Sequence, residues 1–575
     1  MKSSKKYGTV MSTSNIESFY QGEGENKAKF NRSSSVGPGM TTNPLNPTDR
    51  SRRALYESLP FISVYGMQYR EQSIAKSLSR VSLADMGGAI NEQDALLANV
   101  DVDEVVLTTP LMAAIMVAVM LMFLVGYNTG VMNAVEPVVF PGHSVTEWSL
   151  AVAVFAVGGP FGAVLAGKVS NLQGRSAAIK GNMWLFLAGG AALTIAPSIY
   201  WIIAGRVLVG FASGYASVIV PIYLGELAPP TLRGTLGTLT QFSMVIGILA
   251  SNLLSFPLAD ESGWRMLLGV TAVLSLCQLM ASPFIVESPR WLLSKDEYSI
   301  QASMLLKQLR GFRSDTEVQK EVDHIVQASR VQRLEGQSSA HGSGAVWDLI
   351  TDPRVRLLVI SFTVLHMAQQ LSGINAVFYY STSFFDGIVA DPLVGTAAAG
   401  TVNVLATYAA LKLMDRCGRV TLLLWSSGGM FLSCIAITAS LLGIAPNYVA
   451  LLGVMAFVSF FEIGLGPIPW LIVAEMFDAK YVATAMSIAS QVNWAFNFVV
   501  GLGFPMLSRA LGPWVFVPFA AVLAAVFLFS LLMLPETAGR THQEIQRIIN
   551  APTAGKFRNN GMQFVVVEGV DLETS

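Results

Sequence analysis

Long runs without a charged residue, separated by short polar turns, dominate the pattern of the chain. Six such runs come first, and a comparable set occupies residues 357–535. Each reaches or exceeds the ~20 residues that a helix needs to cross ~30 Å of hydrocarbon. The pattern predicts an all-α integral membrane protein, and its first six runs are Leu107–Val135, Trp148–Gly167, Gly181–Gly205, Val207–Gly225, Gly234–Ala259 and Met266–Val286.

The rest of the chain is polar. Residues 1–107 are rich in Ser, Asn, Gly and scattered charge without a sustained period, which is typical of a disordered tail. Between the two sets of runs, apolar residues recur at helical spacing in 300–309 and 318–331. We expect a cytoplasmic tail (1–107), a six-helix bundle (108–286), a cytoplasmic helical loop (287–356), a second six-helix bundle (357–535) and a cytoplasmic tail (536–575).

Lysine and arginine are distributed unevenly among the turns, and this predicts the orientation. Alternate loops carry basic residues such as Lys168 and Lys180, whereas the intervening turns contain none. By the positive-inside rule, both termini lie in the cytoplasm. That placement requires an even number of spans, so we expect twelve.

The two predicted bundles repeat each other in sequence. Three charged residues in or directly after the first bundle recur in or directly after the second at offsets between 244 and 249 residues. The pairs are Arg175 with Arg419, Glu226 with Glu475, and Glu287 with Glu536. Duplicated bundles of this kind usually bind their substrate between the halves.

Composition agrees with a membrane protein and excludes several other classes. Apolar residues make up 52% of the chain and charged residues 13%, about half the ~25% that is usual in soluble domains. The three cysteines are far apart, so we expect neither a disulfide nor a metal site. The sequence contains no nucleophile elbow, phosphate-binding loop or metal-ligand cluster. We therefore expect no enzymatic activity and no cofactor.

Six short motifs resemble those of the sugar-porter family of the major facilitator superfamily, and within it the facilitative glucose transporters of GLUT type. They are GYNTGV at 126–131, PIY at 221–223, ESPR at 287–290, QQLSGINAVFYY at 369–380, GPIPW at 466–470 and PET at 535–537. The resemblance runs from about residue 107 to 549. It implies two six-helix bundles, a central hexose site, alternating access and a preference for D-glucose.

By position, the resemblance also implies a set of sugar-contacting residues, most of them in the second half. They are Gln241 in the fifth span, Gln369, Gln370 and Asn375 in the seventh, Asn403 in the eighth, Phe461, Glu462 and Trp470 in the tenth, and Asn493 in the eleventh.

Independently of the family, these residue types suit a sugar. Side-chain amides both donate and accept, as hydroxyls do. Polar residues inside spans are costly unless they face a cavity or a partner. Any single amide could instead pack helices together, but the gathering of eight polar residues, Asn497 included, favours a water-accessible centre.

A second set of residues is predicted to form a cytoplasmic latch. Arginines and carboxylates at helix ends would pair when the halves close on that side and separate when it opens. The alternative is that they only fix the topology. The predicted latch residues are Arg175, Glu226, Arg233, Glu287, Arg290, Arg416, Arg419 and Glu475.

Three residues bear on energy coupling. Related proton-coupled porters carry an aspartate where this chain has Asn128, beside Arg206. An amide cannot titrate, so we expect passive uniport, with proton symport as the alternative. His366 is a candidate for pH dependence, because an unperturbed imidazole titrates near neutral pH; its alternative role is packing.

A sugar sensor that binds without transporting is the rival from another class. The long amino-terminal tail keeps it open, because disordered tails often bind partners. Residues 92–97 of that tail have the form of an acidic dileucine signal, which would bind sorting or regulatory partners. We expect a multi-pass protein of the plasma membrane, with the lipid bilayer and a hexose as its partners and no nucleic acid.

Overall fold

The computed structural model describes residues 107–229, 232–312, 314–337, 344–352, 355–414, 416–477, 481–540, 544–545 and 548. The predicted amino-terminal tail and its dileucine motif lie outside these residues. Nine helical segments of the described part are long and apolar enough to cross a membrane. Arg175–Thr194, Trp264–Met280 and Val517–Leu532 bring the spans to twelve.

The spans follow each other as antiparallel helices with short turns. In chain order they are Thr109–Gly130, Val145–Gln173, Arg175–Thr194, Ile199–Leu227, Arg233–Leu258 and Trp264–Met280 in the first half, and Arg356–Phe385, Pro392–Met414, Arg419–Leu441, Asn447–Met476, Val482–Leu511 and Val517–Leu532 in the second. The prediction of twelve spans in two groups of six is confirmed.

One predicted boundary is wrong. The uncharged run Gly181–Gly205 does not form a single span, because the chain turns between Thr194 and Ile199. The third span instead begins at Arg175, and Arg206, which ended the run in sequence, lies fully buried within the fourth span. An uncharged run in the sequence therefore coincides with a span only where the span itself contains no buried charged residue.

Three spans are broken. The seventh divides into Arg356–Leu371 and Ile374–Phe385, and the tenth into Asn447–Ile463 and Ile468–Met476. Gly373, between the first two, has a φ of +93°, a left-handed conformation that glycine adopts without steric cost. Glycine or proline marks both breaks in the sequence, Gly373 in the seventh span and Gly464, Gly466, Pro467 and Pro469 in the tenth. The second span is also broken, at Val154, where neither residue type marks the site.

The halves pack internally and against each other. The second and fourth spans of the first half meet closely through glycines, which allow helix backbones to approach. Between the halves, the fifth span packs against the eighth and the second against the eleventh. A site between the halves is therefore bounded by these four spans together with the broken seventh and tenth.

Four further helices follow the sixth span: Pro289–Lys295, Ile300–Arg310, Asp315–Gln337 and Gly344–Thr351. The helices predicted at 300–309 and 318–331 are confirmed. Arg310 joins this region to the first half, because its side chain pairs with Glu321 at 2.9 Å and donates to the Leu227 carbonyl at 2.6 Å.

Candidate functional site

The break in the seventh span brings three predicted site residues together. Gln369 and Gln370 end its first helix, and Asn375 lies in the first turn of its second helix. Both glutamines are nearly fully buried, whereas Asn375 is half-buried. A helix break at this point lets neighbouring residues face the interior from two helix ends.

These side chains form one continuous hydrogen-bonded chain with Asn493 of the eleventh span. Asn375 Nδ2 donates to Gln370 Oε1, and Gln370 Nε2 donates to Asn493 Oδ1 at 3.0 Å. Asn493 Nδ2 donates to Gln369 Oε1 at 2.5 Å. Four amides predicted separately therefore belong to a single network.

The network ends on the backbone of the broken tenth span. Gln369 Nε2 donates to the carbonyl oxygens of Leu465 at 2.7 Å and Gly466 at 2.6 Å. The carbonyl of Leu465 would pair with the N–H four residues later in a regular helix, but that residue is Pro469, which has none. The break thus supplies the acceptors on which the amides terminate.

His366 contacts the same network. It is fully buried, and its Nδ1 lies 3.3 Å from Asn493 Nδ2. Its ring meets that of Trp470 edge-to-face, with centroids 4.6 Å apart. Trp470 itself is 37% exposed, so part of its apolar ring is accessible to a ligand.

The remaining predicted sugar contacts lie outside this network. Asn403 is fully buried, and neither atom of its amide has a hydrogen-bond partner among the described residues. Phe461 and Glu462 are buried in the last turn before the break of the tenth span. Gln241 is half-buried, and its side chain makes no hydrogen bond within the described part of the chain.

The first half buries a charged side chain, and its own buried amides lie outside this network. Arg206 donates to the backbone carbonyls of Asn128 at 2.6 Å, Val152 at 3.3 Å and Ala151 at 3.4 Å. Its guanidinium carbon lies 4.5 Å from the centre of the Phe155 ring. The carbonyls belong to the last turns of helices Thr109–Gly130 and Val145–Ala153, where intrahelical donors run out.

The Asn128 side chain is neutral and fully engaged. Its Nδ2 donates to the Leu124 carbonyl at 2.9 Å, and its Oδ1 accepts from Thr271 Oγ1 at 3.1 Å. The side chain is fully buried. No carboxylate contacts Arg206 among the described residues.

Both latches form, and each lies within one half. Arg175 donates from Nε and Nη2 to the two oxygens of Glu226, at 2.9 and 2.8 Å. Arg419 donates from Nε and Nη2 to a single oxygen of Glu475, at 3.0 and 2.8 Å. The other oxygen of Glu475 accepts from Thr537 Oγ1 at 2.5 Å.

A second carboxylate completes each latch. Glu287 accepts from the backbone N–H of Arg175 at 2.7 Å, and Glu536 accepts from that of Arg419 at 2.7 Å. Each carboxylate thereby caps the first turn of a span, where N–H groups lack helical partners and a negative charge is favoured. The end of the bundle that carries these groups is called the latch end below.

The observed contacts differ from the predicted latch in two respects, and a third residue of it is not described. The two arginine–glutamate pairs do not join the halves, since both members of each pair belong to the same half. Arg290 and Arg416 make no ion pair within the described residues. The side chain of Arg233 lies outside the described part. The pairs hold helix ends together, and their response to opening stays a prediction.

At the opposite end, hydrogen bonds do join the halves, through residues that the sequence analysis did not single out. Asn133 donates to Ser381 Oγ at 2.7 Å and accepts from the Thr382 N–H at 3.0 Å. Ser383 donates to Glu136 at 2.9 Å. The available signal was a lone asparagine five residues after Asn128, at the end of an otherwise apolar run.

The chemistry of the site is that of neutral polar recognition. Amides that already bond one another keep further donors and acceptors, which suits a ligand bearing several hydroxyl groups. The described residues contain no group of three or more His, Cys, Asp or Glu side chains that could hold a metal ion.

Comparison with known proteins matches this chain to sugar transporters. Residues 113–549 match the family model described as "Sugar (and other) transporter". The chain is 39% identical over 468 residues to human solute carrier family 2, facilitated glucose transporter member 4, which covers 76% of this chain and 90% of that protein. It is also 39% identical over 467 residues to member 3 of the sheep, covering 76% and 92%.

Solved structures match over the same region. The partially occluded inward-open conformation of the xylose transporter XylE from E. coli has a TM-score of 0.64 at 25% identity, and covers 76% of this chain and 100% of that one. The inward-open conformation of the same transporter has a TM-score of 0.63 at 24% identity, covering 76% and 99%.

Proposed function

Because the chain belongs to the sugar (and other) transporter family, we propose that it carries a hexose, D-glucose above all, across a membrane by passive uniport. Members of this family transport sugars and are not enzymes. Sugar transport by a multi-pass helical protein follows from membership; the hexose and the uniport mechanism are the proposal. The named relatives are facilitated glucose transporters, which supports D-glucose as the first substrate to test.

The observation that carries the proposal of uniport is the neutral, fully bonded Asn128 beside Arg206. Proton coupling needs a group that binds and releases a proton during the cycle. At this position the side chain is an amide that donates to Leu124 and accepts from Thr271. It has no proton to exchange, so sugar movement would proceed down its own gradient.

Alternating access would expose the amide network to one side at a time. The hydrogen bonds of Asn133 and Glu136 across the halves close the end opposite the latches, which supports a state open towards the latch end. The alternation of basic loops supports a cytoplasmic position for that end. We further propose the plasma membrane as the location, cytoplasmic termini, and the division into tails, bundles and helical loop given above.

The test uses purified full-length protein in liposomes. Labelled D-glucose should enter saturably and stop at equal concentrations inside and outside, with labelled L-glucose as the control. An inward proton gradient should leave that end point unchanged. Binding without saturable flux would support a sensor, and neither binding nor transport of any monosaccharide would overturn the proposal.

Proton symport is the second candidate, and Glu462 favours it. This carboxyl group is only 3% exposed inside the tenth span, where an ionisable residue is costly and often functional. Coupling of one proton to each sugar would let a gradient of one pH unit accumulate glucose up to about tenfold. The same liposomes distinguish this result from equilibration.

A further inference from the structure

The amide network has a single polarity, and the backbone of the broken tenth span determines it. The Gln369 atom that faces the Leu465 and Gly466 carbonyl oxygens must be nitrogen, because an oxygen there would oppose two acceptors. The other atom of that amide is therefore an oxygen. Only a nitrogen of Asn493 can then face it.

The same reasoning propagates along the chain. With its nitrogen towards Gln369, Asn493 turns its oxygen to Gln370, whose nitrogen must face it. The Gln370 oxygen is then left for Asn375, which donates to it. This order of donors does not depend on how the amides are assigned, because each step follows from the two backbone carbonyls.

The amide network thus ends at Asn375 in a hydrogen-bond acceptor. Asn375 uses one N–H on Gln370, and no described residue hydrogen-bonds its Oδ1. Asn375 is also the half-buried member of the four amides. A ligand hydroxyl that meets this oxygen must donate to it.

His366 completes the arrangement on the protein side. Asn493 has a second N–H, and His366 Nδ1 lies 3.3 Å from the nitrogen that bears it. Because Asn493 must donate here, Nδ1 has to be an unprotonated acceptor, and the ring proton lies on Nε2, which makes no hydrogen bond with the described residues. Without such an acceptor, the second N–H of Asn493 would be left unsatisfied, at a cost that favours movement of this side chain away from its place in the network.

We propose that His366 is a positioning residue, which holds Asn493, and through it Gln370, so that Asn375 Oδ1 accepts a hydrogen bond from one sugar hydroxyl. This inference rests on the proposed hexose transport and names the recognition that would occur at its site. It differs from a pH switch, because the neutral ring is needed as an acceptor.

The experiment measures competition by D-glucose analogues against labelled D-glucose uptake in liposomes. Each hydroxyl is replaced in turn by hydrogen and by fluorine, neither of which can donate. At one position, both replacements should weaken competition about three- to tenfold in the wild type, the range expected for one hydrogen bond. Asn375→Leu should abolish that discrimination and identify the hydroxyl.

Substitutions of His366 then test the positioning role. His366→Leu should lose the discrimination at that same hydroxyl while keeping it elsewhere. His366→Gln, whose amide oxygen can accept from Asn493, should retain it. His366→Phe keeps a flat ring against Trp470 without an acceptor, and serves if the leucine variant does not fold.

Asn182→Leu is the matched control, because Asn182 is a fully buried amide of the third span that lies outside the network. It should leave the whole profile unchanged.

Two results would overturn the inference while leaving hexose transport standing. In one, every analogue competes less well against labelled D-glucose by the same factor in the leucine and phenylalanine variants, as a general packing defect would produce. In the other, their profiles equal that of the wild type. Wild-type protein that moves no hexose would overturn the proposed function itself.

Discussion

The first half buries a charged group whose partners are backbone carbonyls, whereas the second half buries neutral amides whose partners are mostly one another. Arg206 holds the last turns of two helices together, and its three hydrogen bonds are internal to its half. The amides of the second half instead run from the tenth span to the half-buried Asn375. From this difference we propose that the buried charge of the first half serves architecture and that the amide network of the second serves recognition.

The strongest way to break this comparison is to remove the charge of the first half. Arg206→Leu would leave three buried carbonyls without a donor, and each unsatisfied group costs about 1–3 kcal/mol. We expect a loss of about 3 kcal/mol or more, seen as poor recovery of monodisperse protein in detergent and a lower Tm. Arg206→Lys should be intermediate. A leucine variant with the Tm of the wild type would contradict the architectural role.

Removing an amide of the second half should instead spare the fold and impair uptake. Gln370→Ala interrupts the chain between Asn493 and Asn375, and we expect uptake of D-glucose to fall about tenfold or more, as the loss of ~1.4 kcal/mol or more would give. Asn403→Ala should also reduce uptake. Expression should stay near normal in both.

The first half again offers the matched control, because Asn182→Ala removes a buried amide that makes no hydrogen bond within the described residues. Its uptake should equal that of the wild type. Unchanged uptake in both Gln370→Ala and Asn403→Ala would remove the site assignment.

A third substitution would introduce a titratable side chain into the centre of the first half. Asn128→Asp places a carboxyl group beside Arg206, and we expect sugar accumulation to respond to an imposed proton gradient, by up to about tenfold per pH unit if one proton moves with each sugar. Asn128→Ser is the control without a titratable group. Equilibration that ignores the gradient in the aspartate variant would mean that coupling requires more than this position.

The smallest expected effect is a difference in stability between the two arginine–glutamate pairs. Arg175 engages both oxygens of Glu226, whereas both donors of Arg419 meet one oxygen of Glu475. Lysine keeps the charge but has no planar fork. We expect Arg175→Lys to lower the Tm by a few degrees, in keeping with ~0.5–1 kcal/mol for partly exposed pairs, and Arg419→Lys to lower it less. Equal shifts would show that the second oxygen contributes nothing.

The sequence predicted the elements well because membrane spans are long and glycine or proline marks most of the breaks. It could not place the turn before the fourth span. Arg206 is buried there because helix ends surround it, and nothing in the sequence shows that these helix ends meet. The amides were predicted one by one, but their order of donors depends on the Leu465 and Gly466 carbonyls, which every sequence contains and only the break makes available.

The role of His366 could not be predicted for a similar reason. Its partner, Asn493, is 127 residues away in the chain, and no local pattern links the two. Asn133 was missed because a single polar residue at the end of a span is ordinary in membrane helices. The roles of His366 and Asn133 both depend on contacts with residues that are distant in the sequence.

The carboxylates of Glu287 and Glu536 have a consequence for biosynthesis. Each follows the sixth helix of its half and bonds the start of the third, 112 and 117 residues earlier in the chain. A ribosome must therefore have delivered all six helices before the bond can close. Since domains generally fold as units from the amino terminus during synthesis, the first bond can close while the second half is still being translated.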